Sequence, residues 1–141
     1  MPDEVAPQVR ALIDRLGLQP HVEGGWWAQT WLGEPDEDGR PVGTAIVYLL
    51  ARGESAAWHR VDVVEDWHFH AGDPLLLRVG SEEVVLGPDV LSGQRVQQLV
   101  PPGVWQSAQT TGDWSLVGCS MAPGWWEPGY ELAPPGWEPS W

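Results

Sequence analysis

The sequence contains no lysine, a single cysteine and no long apolar run. Its seven basic residues are all arginine, set against 20 aspartates and glutamates, and the formal net charge is −13. A field of that sign repels phosphate, so nucleic acid and anionic membrane surfaces are poor partners. With Cys119 alone, no intramolecular disulfide can form. No stretch approaches the ~20 apolar residues of a membrane span. The first ten residues, MPDEVAPQVR, are acidic and lack the apolar core of a secretory signal. A soluble, cytoplasmic protein is the expectation. What the chain has in abundance is glycine (17), proline (14) and tryptophan (11), which argues for many turns between short strands. Its 141 residues suit one domain, 1–141, able to bury roughly 70% of its unfolded surface without staples.

Residues 3–17 read as a helix. Val5, Val9, Leu12, Ile13 and Leu16 form a one-sided apolar stripe, Asp3 is the expected N-cap and Gly17 the stop. Residues 18–122 read as β-structure. Strands are expected from Trp26 to Trp31, over Thr44–Leu50, Trp58–Val64 and Glu65–His70, and as a hairpin of Leu75–Val79 with Glu83–Leu86. Further strands are expected over Arg95–Val100, Val104–Ala108 and Trp114–Met121. Short strands at regular spacing indicate a sandwich or barrel. Residues 123–141, rich in Pro, Gly and Trp, read as a tail without regular structure whose aromatics cover an apolar face.

The stretch Gly53–Gly72, GESAAWHRVDVVEDWHFHAG, holds three of the four histidines. Its order of Gly53, His59, Val61, Glu65 and Gly72 resembles the first motif of the cupin superfamily, in which His-x-His and Glu usually hold a metal. Here Val61 stands where the second His belongs. Five blocks resemble one cupin subfamily, DUF985 or Cupin_5: Pro20–Gly25, Thr44–Leu50, Trp58–Arg60 with Glu65–His68, Gln97–Trp105, and Ser115–Cys119 with Pro123–Trp125. The resemblance runs from about residue 12 to 132. It implies an all-β fold, the cupin double-stranded β-helix or jelly-roll barrel with a short N-terminal helix, commonly as a homodimer. It implies little about activity.

In the second cupin motif a His follows Pro-x-Gly by three positions; here that position is Gln106. The four ligand positions thus read His59, Val61, Glu65 and Gln106. Stable transition-metal sites want three or more His, Cys or carboxylate ligands, so no metal and no cofactor are expected. Alternation along a strand puts His59, Val61 and Glu65 on one inner face and turns His68 and His70 outward. His59 and Glu65 are the candidate acid/base pair. Trp58, Trp67, Trp105, Gln106, His21 and Glu23 are the candidate ligand-binding residues, the last two at the rim beside Gly24-Gly25. Cys119, mid-strand, reads as a small core residue.

Three readings follow. The first is a small-molecule pocket with isomerase- or epimerase-like acid/base chemistry. The second is a non-catalytic ligand-binding module, and the third a metal-dependent cupin oxygenase.

Overall fold

A computed structural model describes residues 6–141. Asp3 and Val5 of the expected helix lie outside the described residues, and Ala6, expected within it, is the residue that caps its start. The helix, α1, spans Pro7–Leu16. Pro7 sits at its start, where a missing N–H costs least. Gly17 ends it in the left-handed conformation, φ 65°.

Eleven strands follow: β1 (Gln19–Pro20), β2 (Trp26–Leu32), β3 (Thr44–Ala51), β4 (Ser55–Val61), β5 (Glu65–Gly72), β6 (Leu75–Val79), β7 (Glu82–Leu86), β8 (Gln97–Val100), β9 (Gln106–Thr110), β10 (Trp114–Met121) and β11 (Tyr130–Leu132). They form two antiparallel sheets, β1-β2-β3-β10-β5-β8 and β11-β4-β9-β6-β7. This is the jelly roll expected from the sequence.

Several strand boundaries differ from the pattern reading by one to three residues, among them the start of β8 at Gln97 rather than Arg95 and the end of β5 at Gly72 rather than His70; two bear on the site. β4 begins at Ser55 and ends at Val61, because Asp62 turns out to meet Arg40. β9 begins at Gln106, since Val104 and Trp105 still belong to the turn after Pro101. The larger correction concerns the tail. Residues 130–132 form β11, which pairs with the edge of β4, Tyr130 opposite Val61 and Leu132 opposite His59. Short irregular-looking sequence becomes strand there because β4 offers it a free row of backbone donors and acceptors.

β3 is apolar on both faces for a structural reason. Tyr48 and Leu50 enter the core between the sheets, with Trp67, Leu75, Leu77, Val100 and Val117. Leu49 points the other way and meets Val9, Ile13 and Leu18 of the helical segment. The helix therefore packs on the outside of the six-stranded sheet, and Leu16, at the edge of the stripe, is left 38% exposed.

The Gly24-Gly25 turn carries His21 and Glu23 into place. Both glycines have positive φ, 109° and 76°. A Cβ on Gly24 would strike the Ser55 carbonyl, and one on Gly25 would lie 2.8 Å from the Leu49 carbonyl. Only glycine allows the turn to lie this close to β3 and β4.

Candidate functional site

A cavity of about 400 Å³ opens between the sheets, within the usual range of small-molecule pockets. Its walls come from the β1–β2 region (His21, Glu23, Trp27), β3 (Ile46, Tyr48), β4 (His59, Val61), β5 (Glu65, Trp67), β10 (Cys119, Met121) and the C-terminal segment (Trp125, Tyr130).

His59 and Gln106 are cross-strand partners on β4 and β9, so their side chains share a face. Glu65 comes from the facing sheet. A relay links this pair of sheets. The Trp67 indole N–H donates to Gln106 Oε1 at 2.8 Å, and Gln106 Nε2 donates to Glu65 Oε1 at 2.9 Å. An indole nitrogen can only donate, which fixes the Gln106 amide with its N–H groups towards the carboxyl. All three side chains are buried.

His59 Nδ1 lies 2.8 Å from the Ala57 carbonyl. A carbonyl only accepts, so Nδ1 carries the hydrogen and, in the neutral ring, Nε2 keeps its lone pair. That Nε2 stands 3.9 Å from Glu65 Oε1, while Glu23 Oε2 lies 3.5 Å from Nδ1. Glu23 also accepts from the Tyr130 hydroxyl at 2.9 Å. Its backbone N–H donates to His21 Nδ1 at 3.0 Å. The His21 ring stacks on Tyr48 at 4.9 Å and meets Trp27 edge-on at 5.3 Å. The Tyr48 hydroxyl donates to the Gly24 carbonyl.

Burial governs the charges. It pushes Glu23 up to about 7, partly offset by His21 and Tyr130. It pushes Glu65 up to about 6, offset by His59 and reinforced by Glu23. It lowers His59, against the pull of Glu65, and lowers His21, against the pull of Glu23. Desolvation disfavours the charged form in every case. The Cys119 thiol is raised by burial first and by Glu65 second, so it is an inert wall.

Of the residues singled out from sequence, His59, Glu65, Trp67, His21 and Glu23 line the cavity, and Gln106 stands behind Glu65. Trp58 and Trp105 do not line it. Trp58 follows the strand alternation to the opposite face and packs against Trp137 and Trp141, with ring centroids at 6.2 and 5.8 Å. Trp105 packs at a tilt against Trp137, ring centroids 4.5 Å apart, beneath the Arg60 guanidinium. Tyr48, Trp27, Trp125 and Tyr130 were not foreseen. Arg40 secures the segment bearing the last two: its guanidinium makes two 2.8 Å bonds to Asp62 and donates to the Gly124 carbonyl at 2.8 Å.

The metal expected of many cupins does not suit this donor set. Val61 offers no ligand, Gln106 presents N–H groups rather than a lone pair, and His59 has one free nitrogen. Among the described residues no three His, Cys, Asp or Glu side chains are grouped to hold a metal ion.

Two antiparallel sheets closed around a buried His–carboxylate cavity define a cupin barrel. The chain belongs to the cupin superfamily family DUF985 (Cupin_5), whose profile matches residues 10–133. A protein of known structure from Shewanella oneidensis is similar at 35% identity, with 87% of this chain and 82% of that chain covered and a TM-score of 0.82. A hypothetical protein from Leishmania major shares 27% identity over 92% and 88% of the two chains, with a TM-score of 0.79. A cupin 2 conserved barrel domain protein from Rhodopseudomonas palustris, at 14% identity and a TM-score of 0.57 over 83% and 73%, shares the fold alone. No curated protein matches the chain. No helix among the described residues is long and apolar enough to cross a membrane.

Proposed function

We propose that the cavity binds a small organic molecule and supports metal-independent proton transfer of the isomerase or epimerase kind, with His59 as base and Glu65 as its charged partner. The observation that carries this is the fixed tautomer of His59, with Nδ1–H committed to Ala57 and the Nε2 lone pair facing Glu65. Burial keeps the ring neutral and so able to accept a proton. The imidazolium that forms is flanked by Glu23 at 3.5 Å and Glu65 at 3.9 Å, which stabilise it in a water-poor site. Glu65 at about 6 and Glu23 at about 7 are poised to return a proton as well as to hold charge. Trp67 and Gln106 act as positioning residues by orienting the Glu65 carboxyl. Sugar-nucleotide epimerases share the fold, which is analogy rather than support for a substrate.

The test is a ligand screen read by tryptophan fluorescence, followed by turnover assays on the hits. His59→Asn should cut turnover by roughly 100-fold or more, and Glu65→Gln should cut it while leaving the melting temperature close to that of the wild type. Undiminished turnover in His59→Asn refutes the assignment. Binding without turnover by the wild type reduces the site to a non-catalytic binding module.

Two copies are also proposed to associate. β8 is an outer strand of its sheet, and Val64, Val96 and Leu99 near it are 42%, 51% and 51% exposed. Symmetric dimers are the commonest assembly. Sedimentation equilibrium should show a dimer, and a monomer throughout the micromolar range refutes it.

A further inference from the structure

We propose that the molecule taken by this cavity is a small organic ammonium, seated on aromatic faces with its N–H groups directed at Glu23, Glu65 and the free Nε2 of His59. This rests on reading the cavity as a small-molecule site and adds the charge of its ligand.

The hydrogen-bond roles around the two carboxyls point to a donor. The hydrogens nearest them are already committed. Tyr130 O–H goes to Glu23, Gln106 N–H to Glu65, and the Trp67 N–H to Gln106. Tyr48 O–H goes to the Gly24 carbonyl, and His59 Nδ1–H goes to the Ala57 carbonyl. His21 is the exception, because its Nδ1 accepts from the Glu23 amide and its Nε2 carries the remaining hydrogen. Beside the carboxyls, what stays open apart from the His21 hydrogen is acceptor capacity, namely carboxylate oxygens and an imidazole lone pair. A ligand that satisfies these atoms brings hydrogens with it.

The charges agree. No arginine is among the lining residues. Arg40 is held by Asp62, Arg52 by Asp113, Arg60 by Glu131 and Arg78 by Glu83. A phosphate or carboxylate entering the cavity would meet two buried carboxyls with no counter-cation, an arrangement that buried charges do not tolerate. An ammonium supplies the missing counter-charge. The overall charge of −13 draws cations towards the molecule and repels anions.

The walls supply the third argument. Trp27, Tyr48, Trp67, Trp125 and Tyr130 line the cavity. The negative faces of aromatic rings attract a desolvated cation, and tryptophan does so most strongly. Open acceptors at the two carboxyls and His59, carboxyls without arginine, and a ring of π-faces together favour one ligand charge over the other two.

The experiment uses three probes of nearly one shape: phenethylammonium, 2-phenylethanol and phenylacetate. Each is titrated into the full-length protein by calorimetry at about pH 8, where carboxyls are ionised and the amine stays protonated. Phenethylammonium should bind at least tenfold more tightly than 2-phenylethanol, and phenylacetate should not bind. In the double variant Glu23→Gln, Glu65→Gln the preference should fall towards one while 2-phenylethanol still binds. Native tryptophan emission confirms that this variant is folded, and the wild-type ratio decides the matter without it. If the alcohol or the acid binds as tightly as the amine, the charge assignment is overturned and the small-molecule pocket stands. If none of the three binds, the pocket reading falls with it.

Discussion

Trp67→Ala should destabilise the protein by about 4 kcal/mol or more, the largest loss expected from any single substitution at the site. Trp67 is 1% exposed and packs between the sheets beside Tyr48. Truncation removes most of a large apolar side chain and leaves a void that the surrounding strands cannot fill. It also strands Gln106 Oε1, which accepts only from that indole and belongs to a fully buried residue. Trp67→Phe separates the two effects. It keeps much of the volume and deletes the donor, so it should cost about 1–3 kcal/mol. Urea denaturation of both variants measures the difference. If Trp67→Phe matches the wild type within a few tenths of a kcal/mol, the relay contributes nothing to stability and Gln106 is held by packing alone.

The second large effect is on the pH dependence of stability. Glu23 rises from its ordinary 4.5 to about 7 on folding, and Glu65 to about 6. Between those values the folded chain keeps protons that the unfolded chain has released. The unfolded state therefore binds fewer protons, and stability falls as pH rises. The protonated carboxyl's contribution is fully present below about 4.5 and is lost as pH passes about 7. For Glu23 alone this is on the order of 3 kcal/mol. His21 and His59 act in the opposite sense. Their folded values lie below the ordinary 6.5, so below that pH the unfolded chain takes up protons that the folded chain refuses. The difference between wild type and Glu23→Gln isolates the carboxyl. Melting temperatures taken from about pH 4.5 to 8 should show the variant gaining on the wild type towards the alkaline end. Two parallel curves would mean that Glu23 ionises in the folded protein as it does in water.

Much of this site was legible in the order of residues, and the failures have identifiable causes. The spacing of His59, Val61 and Glu65 identified the inward face, because side chains alternate along a strand. The same parity already placed Trp58 outward, next to an inward His59. Closeness in sequence to His59 points to Trp58 as a ligand residue, whereas strand direction turns it away. Trp105 misled for a related reason: the strand begins only at Gln106, and the tryptophan belongs to the preceding turn. Tyr48 lay in plain view within Thr44–Leu50, but an apolar run buried on both faces carries no signal of which residues reach a cavity. Tyr130 was hidden more deeply. Its three-residue strand exists because β4 has an unpaired edge, a tertiary fact that local propensity does not contain. Trp125 came with it, through the anchoring of Gly124 by Arg40.

The strands that carry His59, Glu65, Gln106 and Tyr130 bond to partners distant in sequence: β4 to β9 and β11, and β5 to β8 and β10. Pairings of this kind close long loops before they gain any contact, so they form slowly and together. No short fragment of the chain holds the whole site: His59 and Glu65 lie in one stretch, but Gln106 and Tyr130 come from β9 and β11. The complete site exists only in the folded chain, so occupancy is coupled to folding. A ligand that binds the folded chain alone, at 100 times its dissociation constant, would deepen the native basin by about 2.7 kcal/mol.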